Sequence, residues 1–179
     1  MELNGTPVGS YAPDFELPGI DKHVHHLSRY LEKWRGIGVI FISNNCPYVL
    51  SYVDRLKKIQ SQFHDQNFTL IGINSDKISC SQENCLENMK KFARDKQLNF
   101  PYLWDSTQEV AQSFGAQKTL SSFLIDQLGI VFYKGCIDDN SQQPAAVKQP
   151  YLQRAIAAML AGEEASPQST EVIGSEIEW

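Results

Sequence analysis

Val39-Ile40-Phe41-Ile42-Ser43-Asn44-Asn45-Cys46-Pro47-Tyr48-Val49 is the stretch on which the fold turns. Residues 39–42 are apolar without alternation, the pattern of a strand covered on both faces, and so they place this segment in the middle of a sheet. Gly36 and Gly38 release the chain into that strand. Beyond it, Pro47 suits the first position of a helix, where its missing N–H costs nothing. Val49, Tyr52, Val53, Leu56, Ile59 and Phe63 then recur at helical spacing, with Lys57, Lys58 and Gln62 facing outward. Cys46 therefore stands at a helix N-terminus. Peptide dipoles and free N–H groups at such an end favour an anion, which draws a cysteine toward thiolate, the form that attacks disulfides and peroxides. In Cys-x-x-Val, Val49 occupies the place where a dithiol oxidoreductase carries its second cysteine.

Working outward, residues 15–17 and 23–27 predict a hairpin, with Ser28 capping a short helix that carries Tyr30, Leu31 and Trp34. Residues 68–73 predict a second strand, and Leu86, Met89, Phe92 and Ala93 a second helix. Asn84 with Glu87 resembles a capping box at its start, and Ser81 competes for the same role. Residues 101–104 predict a short strand and 107–114 a short helix. Residues 123–126 and 130–133 predict two strands too closely joined to be parallel. A last amphipathic helix spans 151–160. The order predicts a mixed α/β sheet with helices on both faces. His23, His25 and His26 read as a polar hairpin surface and Asp138-Asp139-Asn140 as a polar turn, so neither is taken as a metal site.

The chain has 179 residues, 42% hydrophobic and 21% charged, enough for one sizeable core. Its net charge of −5 is unevenly placed. Glu163, Glu164, Glu171, Glu176 and Glu178 follow Arg154 and no Lys or Arg does, so the remaining acidic residues balance all 16 basic ones. A domain of residues 1–162 followed by a solvated acidic tail, 163–179, is the expected organisation. No basic footprint for nucleic acid, no apolar stretch of membrane-spanning length and no secretory leader pattern is present, which predicts a cytoplasmic protein. Cys46, Cys80, Cys85 and Cys136 are too few and too irregular for a secreted disulfide framework, and are expected to be thiols.

Several motifs, taken in order, resemble one superfamily. They are Ala12-Pro13-Asp14-Phe15-Glu16-Leu17-Pro18-Gly19, Asn45-Cys46-Pro47-Tyr48-Val49 and Ile71-Gly72-Ile73-Asn74-Ser75-Asp76, followed by Pro101-Tyr102-Leu103-Trp104-Asp105, Thr107-Gln108-Glu109-Val110-Ala111 and Ile137-Asp138-Asp139-Asn140. The chain is similar over nearly its whole length to the thioredoxin-like redoxins of the alkyl hydroperoxide reductase and thiol-specific antioxidant group. The resemblance implies a thioredoxin fold, a central mixed β-sheet with flanking helices, extended by an N-terminal β-hairpin. It places Cys46 where the nucleophilic cysteine stands and Ser43 where a Thr/Ser-x-x-Cys hydroxyl supports the thiolate. It also implies a disulfide-bearing protein or a small peroxide as the reaction partner, a thioredoxin-type reductant, and no flavin, haem or metal cofactor.

Departures accompany the matches. The Thr-Pro step usual opposite the active cysteine reads Thr119-Leu120, and no Arg lies between Arg94 and Arg154 to hold a thiolate and polarise a peroxide, leaving Lys118 as the nearby cation. The proline that usually precedes the cysteine element is Val39. Where related chains end in Gly-Cys-x-Ile-x-Trp, this one has Gly174-Ser175-Glu176-Ile177-Glu178-Trp179. Cys80 and Cys85 follow a strand parallel to the one delivering Cys46 and are candidates to resolve it, whereas Cys136 reads as structural. Two functional readings stand. One is a thiol-dependent oxidoreductase with Cys46 as nucleophile; the other is a non-catalytic redox-sensing or partner-binding module.

Overall fold

The computed structural model describes residues 5–77 and 82–179. Five strands form the central sheet: β3 (Gly36–Phe41), β4 (Phe68–Asn74), β5 (Tyr102–Trp104), β6 (Ser122–Asp126) and β7 (Val131–Gly135). Their order is β5-β4-β3-β6-β7, with β3, β4 and β5 parallel and β6 and β7 antiparallel. A separate hairpin pairs β1 (Glu16–Pro18) with β2 (Val24–His26). All six residues of β3 are buried, as a central strand with both faces covered requires.

Alternation along β3 divides the core into two. Ile40 and Ile42 face α2 (Pro47–Phe63), α3 (Gln82–Lys96) and α5 (Tyr151–Leu160), where Val49, Leu56, Met89 and Ile156 complete one cluster. Val39 and Phe41 face the other way, toward α1 (Leu27–Lys33) and α4 (Glu109–Phe114), among Leu27, Ile71, Phe114 and Phe123. Phe41, Phe114 and Phe123 meet edge-on there, with centroids 5.0 to 6.0 Å apart. β3 begins three residues before the apolar run because Gly36 and Gly38 lie inside it. A Cβ on Gly38 would stand 2.7 Å from Leu70 Cδ2, so the missing side chain lets β4 pack beside it.

Some local expectations shift. Helix α1 starts at Leu27 with His26 at its N-cap, so Ser28 lies in its first turn rather than capping it. Asn84 is the third residue of α3 rather than its N-cap, and the competing Ser81 falls outside the described residues. Asp138 is not simply a turn residue. It is buried, accepts a hydrogen bond from the Tyr52 hydroxyl at 2.6 Å, and pairs with Arg55 at 2.9 Å. Arg55 also donates to the Asn140 carbonyl, fixing the loop after β7 against α2.

The largest difference concerns residues 163–179, which fold back over the domain instead of standing in solvent. Ala165 and Ile177 are buried, and Ile177 joins the α4-side core. Backbone bonds run from Thr170 N to Lys134 O at 3.1 Å, from Thr119 N to Ser175 O at 2.8 Å, from Ile177 N to Gln117 O at 2.9 Å and from Lys77 N to Glu178 O at 2.8 Å. Gly174 permits the closest approach, since a Cβ there would stand 2.0 Å from the Thr119 carbonyl oxygen. Charge suggested a solvated tail, but unpaired loop amides and one apolar anchor decide its course.

Candidate active site

Cys46 is the N-cap of α2, in extended backbone, with Pro47 at the first helical position. β3 delivers the thiol to the C-terminal edge of the parallel strands, where sites in open α/β sheets gather. Its sulfur lies 3.1 Å from Thr119 Oγ1 and 3.4 Å from Ser175 Oγ, to which the thiol donates. Thr119 Oγ1 in turn donates to the Ser175 carbonyl at 3.2 Å. Burial pushes the thiol pKa up. Hydrogen bonds with the Ser175 and Thr119 hydroxyls, then from the Val49 and Tyr48 amides, outweigh that and leave it below the ordinary thiol value of 9.0. The helix end thus acts through two identifiable N–H groups.

Ser43 is buried beside the cysteine, but its hydroxyl serves the Asp76 carboxylate and not the sulfur. Burial raises the Asp76 pKa, the Glu178 amide and Ser43 oppose that rise, and the Glu178 charge adds to it. Ser43 therefore reaches the thiol only through the shared wall of a recess of about 260 Å³, which Cys46, Asp76, Thr119, Ser175, Glu176 and Glu178 also line. Cys46 is 6% exposed within it. Tyr48 does not line this recess and is 37% exposed, and Leu50 is exposed as well.

Leu120 stands where a Thr-Pro step was expected, and it solves the same crossing differently. Its φ is +70°, a left-handed value that a bulky side chain rarely adopts. Its buried side chain, its N–H bond to the Phe41 carbonyl and the Ser122 hydroxyl on its own carbonyl hold it there. The carbonyl and hydroxyl of Thr119 are presented to the tail and to Cys46 as a result.

Neither Cys85 nor Cys136 lines this recess. Cys85, in α3, is buried and disulfide-bonded, contrary to the expectation of four thiols, and Cys46 is a free thiol. Cys80 lies outside the described residues. Cys136 is also a free, buried thiol, 3.3 Å from Thr170 Oγ1, but burial pushes its pKa up. Lys118 does not line the recess. Thr119 and Ser175 were visible in the sequence only as a missing proline and a missing cysteine. Their hydroxyls are partners of the thiol because the tail folds over it.

Comparison with known proteins agrees with this geometry. The chain is 25% identical over 130 residues to "Thiol-disulfide oxidoreductase ResA" of Geobacillus thermodenitrificans, spanning 73% of this chain and 70% of that protein. A hypothetical protein of Sinorhizobium meliloti superimposes with a TM-score of 0.87 at 30% identity, over 98% of this chain and 96% of the other. An uncharacterised conserved protein of Geobacillus kaustophilus does so with a TM-score of 0.89 at 30% identity, over 98% and 94%. A family model described as AhpC/TSA matches residues 8–134. With the thiol at its helix N-terminus and the sheet order around it, the chain belongs to the AhpC/TSA family.

Proposed function

We propose that Cys46 is the nucleophile of a thiol-disulfide oxidoreductase acting on disulfide-bearing proteins. The observation that carries this reading is the thiol at the α2 N-cap, held below its ordinary pKa by two hydroxyls and two amides. The Cys46 thiolate attacks one sulfur of the partner disulfide, a mixed disulfide forms, and the partner's other sulfur leaves as a thiolate that takes a proton from solvent. With Val49 in place of a second cysteine, the mixed disulfide is released by another thiol. A thioredoxin-type reductant is the proposed source, and Cys80, or Cys85 once its own disulfide is reduced, is the intramolecular alternative. Tyr48 and Leu50, exposed in the first turn of α2 after Cys46, give a protein partner apolar surface to rest on.

Peroxide chemistry, and with it an antioxidant role, is the weaker branch, because no Arg stands between Arg94 and Arg154 to polarise a peroxide. A cytoplasmic setting forms part of the proposal because it would keep Cys46 reduced. Among the described residues no helix is long and apolar enough to cross a membrane. The 6% exposure of Cys46 favours the second reading, a redox sensor without turnover. Insulin-disulfide reduction and peroxide consumption, each compared with Cys46→Ser, separate these readings. Disulfide reduction lost in Cys46→Ser supports the oxidoreductase. Equal behaviour of the two proteins in both assays, with equal alkylation below pH 7, rules it out. Full reduction followed by mild re-oxidation and mass mapping tests Cys80 and Cys85 as resolving thiols through a bridge to Cys46.

A further inference from the structure

The recess around Cys46 has a charge as well as a shape. Asp76 enters from the end of β4, and Glu176 and Glu178 from the folded-back tail, so three carboxylates line about 260 Å³ together with the thiol. Among the described residues no Lys, Arg or His lines it. Among the described residues none of the three carboxylates makes an ion pair within 4 Å, and Lys118, which faces Glu176 across an isolated β-bridge, makes none either. The nearest cations in sequence, Lys77 and Lys118, lie outside the wall of the recess. Ionised Cys46 adds a fourth negative charge. A group entering the recess meets a negative field that it must either match or overcome.

From this we infer that the folded-back tail makes Cys46 selective by charge, accepting disulfides that are cationic or flanked by Lys or Arg and excluding anionic ones. The inference rests on Cys46 as nucleophile and deepens that reading by naming the class of disulfide and the residues that choose it. Glu176 and Glu178 are the specificity residues. Asp76 is the third carboxylate, and the hydrogen bonds it accepts from the Ser43 hydroxyl and the Glu178 amide hold one wall in place. In the step itself the Cys46 thiolate bonds one sulfur of the disulfide, the S–S bond breaks, and the departing sulfur keeps the electron pair. The disulfide is the oxidant, and no other is needed. A positive leaving group is stabilised beside the carboxylates as its sulfur acquires charge, and a negative one is not.

The test uses the full-length reduced protein and three small disulfides: cystamine as the cationic probe, 2-hydroxyethyl disulfide as the neutral one and glutathione disulfide as the anionic one. Mixed-disulfide formation at Cys46 is followed by peptide mass, with each rate divided by that of a free cysteine peptide. At low salt cystamine is expected to exceed glutathione disulfide by about tenfold or more, with the neutral probe between them and the gap shrinking in 1 M salt. In the double variant Glu176→Gln and Glu178→Gln the cationic-to-neutral ratio is expected to fall about threefold or more. A normalised glutathione disulfide rate equal to or above that of cystamine overturns the proposal, as does a ratio unmoved by the double variant. If no disulfide reacts, including the neutral one, the oxidoreductase reading fails. The charge of the recess is then judged by alkylation of Cys46 with iodoacetate against iodoacetamide, where a normalised deficit for the anion supports it and equal rates overturn it.

Discussion

At the scale of single residues, the site is a balance between burial, which opposes a thiolate, and donors, which favour it. Thr119 and Ser175 carry the hydroxyl partners of the sulfur that a substitution can remove. Thr119→Val and Ser175→Ala are each expected to move the Cys46 alkylation profile to higher pH and slow alkylation at pH 7 by about three- to tenfold. Both should retain the fold by circular dichroism. Leu120 gives a sharper test, because Leu120→Pro would restore the proline usual in this fold and yet should harm this protein. Proline cannot reach φ of +70°, and it removes the N–H given to the Phe41 carbonyl. Its expected cost is about 2 kcal/mol or more in urea unfolding. Cys46 and its helix were legible because a cysteine before proline, between an apolar strand and a 3.6-residue pattern, is local information. The roles of Thr119 and Ser175 depend on where two distant loops come to rest, which spacing does not encode.

At the scale of elements, β3 and α2 were legible from their apolar patterns, and α5 appears over the expected 151–160. The start of α1 was misplaced because Ser28 looked like a cap, whereas the chain enters the helix directly from β2 at His26 with no side-chain cap at all. The tail was misread for a more general reason. Five Glu residues dominate its composition, but Ile177, 3% exposed, anchors it and its backbone pairs with two loops and with strand β7. Ile177→Asp should therefore release the strap without unfolding the sheet. Amide hydrogen exchange in 169–179 should rise to loop-like rates, and a bulky maleimide should reach Cys46 about tenfold faster, provided the opening is local. Unchanged exchange in that segment would mean that Ile177 is not what holds the tail.

At the scale of the whole molecule, two cores on opposite faces of one sheet place the thiol, the Thr119 loop and the tail at one edge. The mixed α/β architecture was readable from element order, since short connections force β6 and β7 antiparallel while helical crossovers make β3, β4 and β5 parallel. The clamp between α2 and the loop after β7 was not readable, because Arg55 and Asp138 are 83 positions apart and each resembles a surface charge. Their side chains are 10% and 7% exposed, so Asp138→Ala leaves the Arg55 guanidinium buried without its partner. That variant should lose about 3 to 5 kcal/mol of stability, seen as a lower urea midpoint, even though it lies outside the recess. A loss under about 1 kcal/mol would show that water replaces the carboxylate and that the clamp is not structural.

The central claim, that this fold prepares Cys46 as a thiolate nucleophile, depends on the ionisation of one sulfur. Iodoacetamide alkylation of Cys46, followed by peptide mass across pH 5 to 10 in the reduced full-length protein, measures it directly. A midpoint clearly below the ordinary thiol value of 9.0, with Cys136 titrating above it in the same sample, is the predicted result. A Cys46 midpoint at or above that of Cys136 would contradict the account.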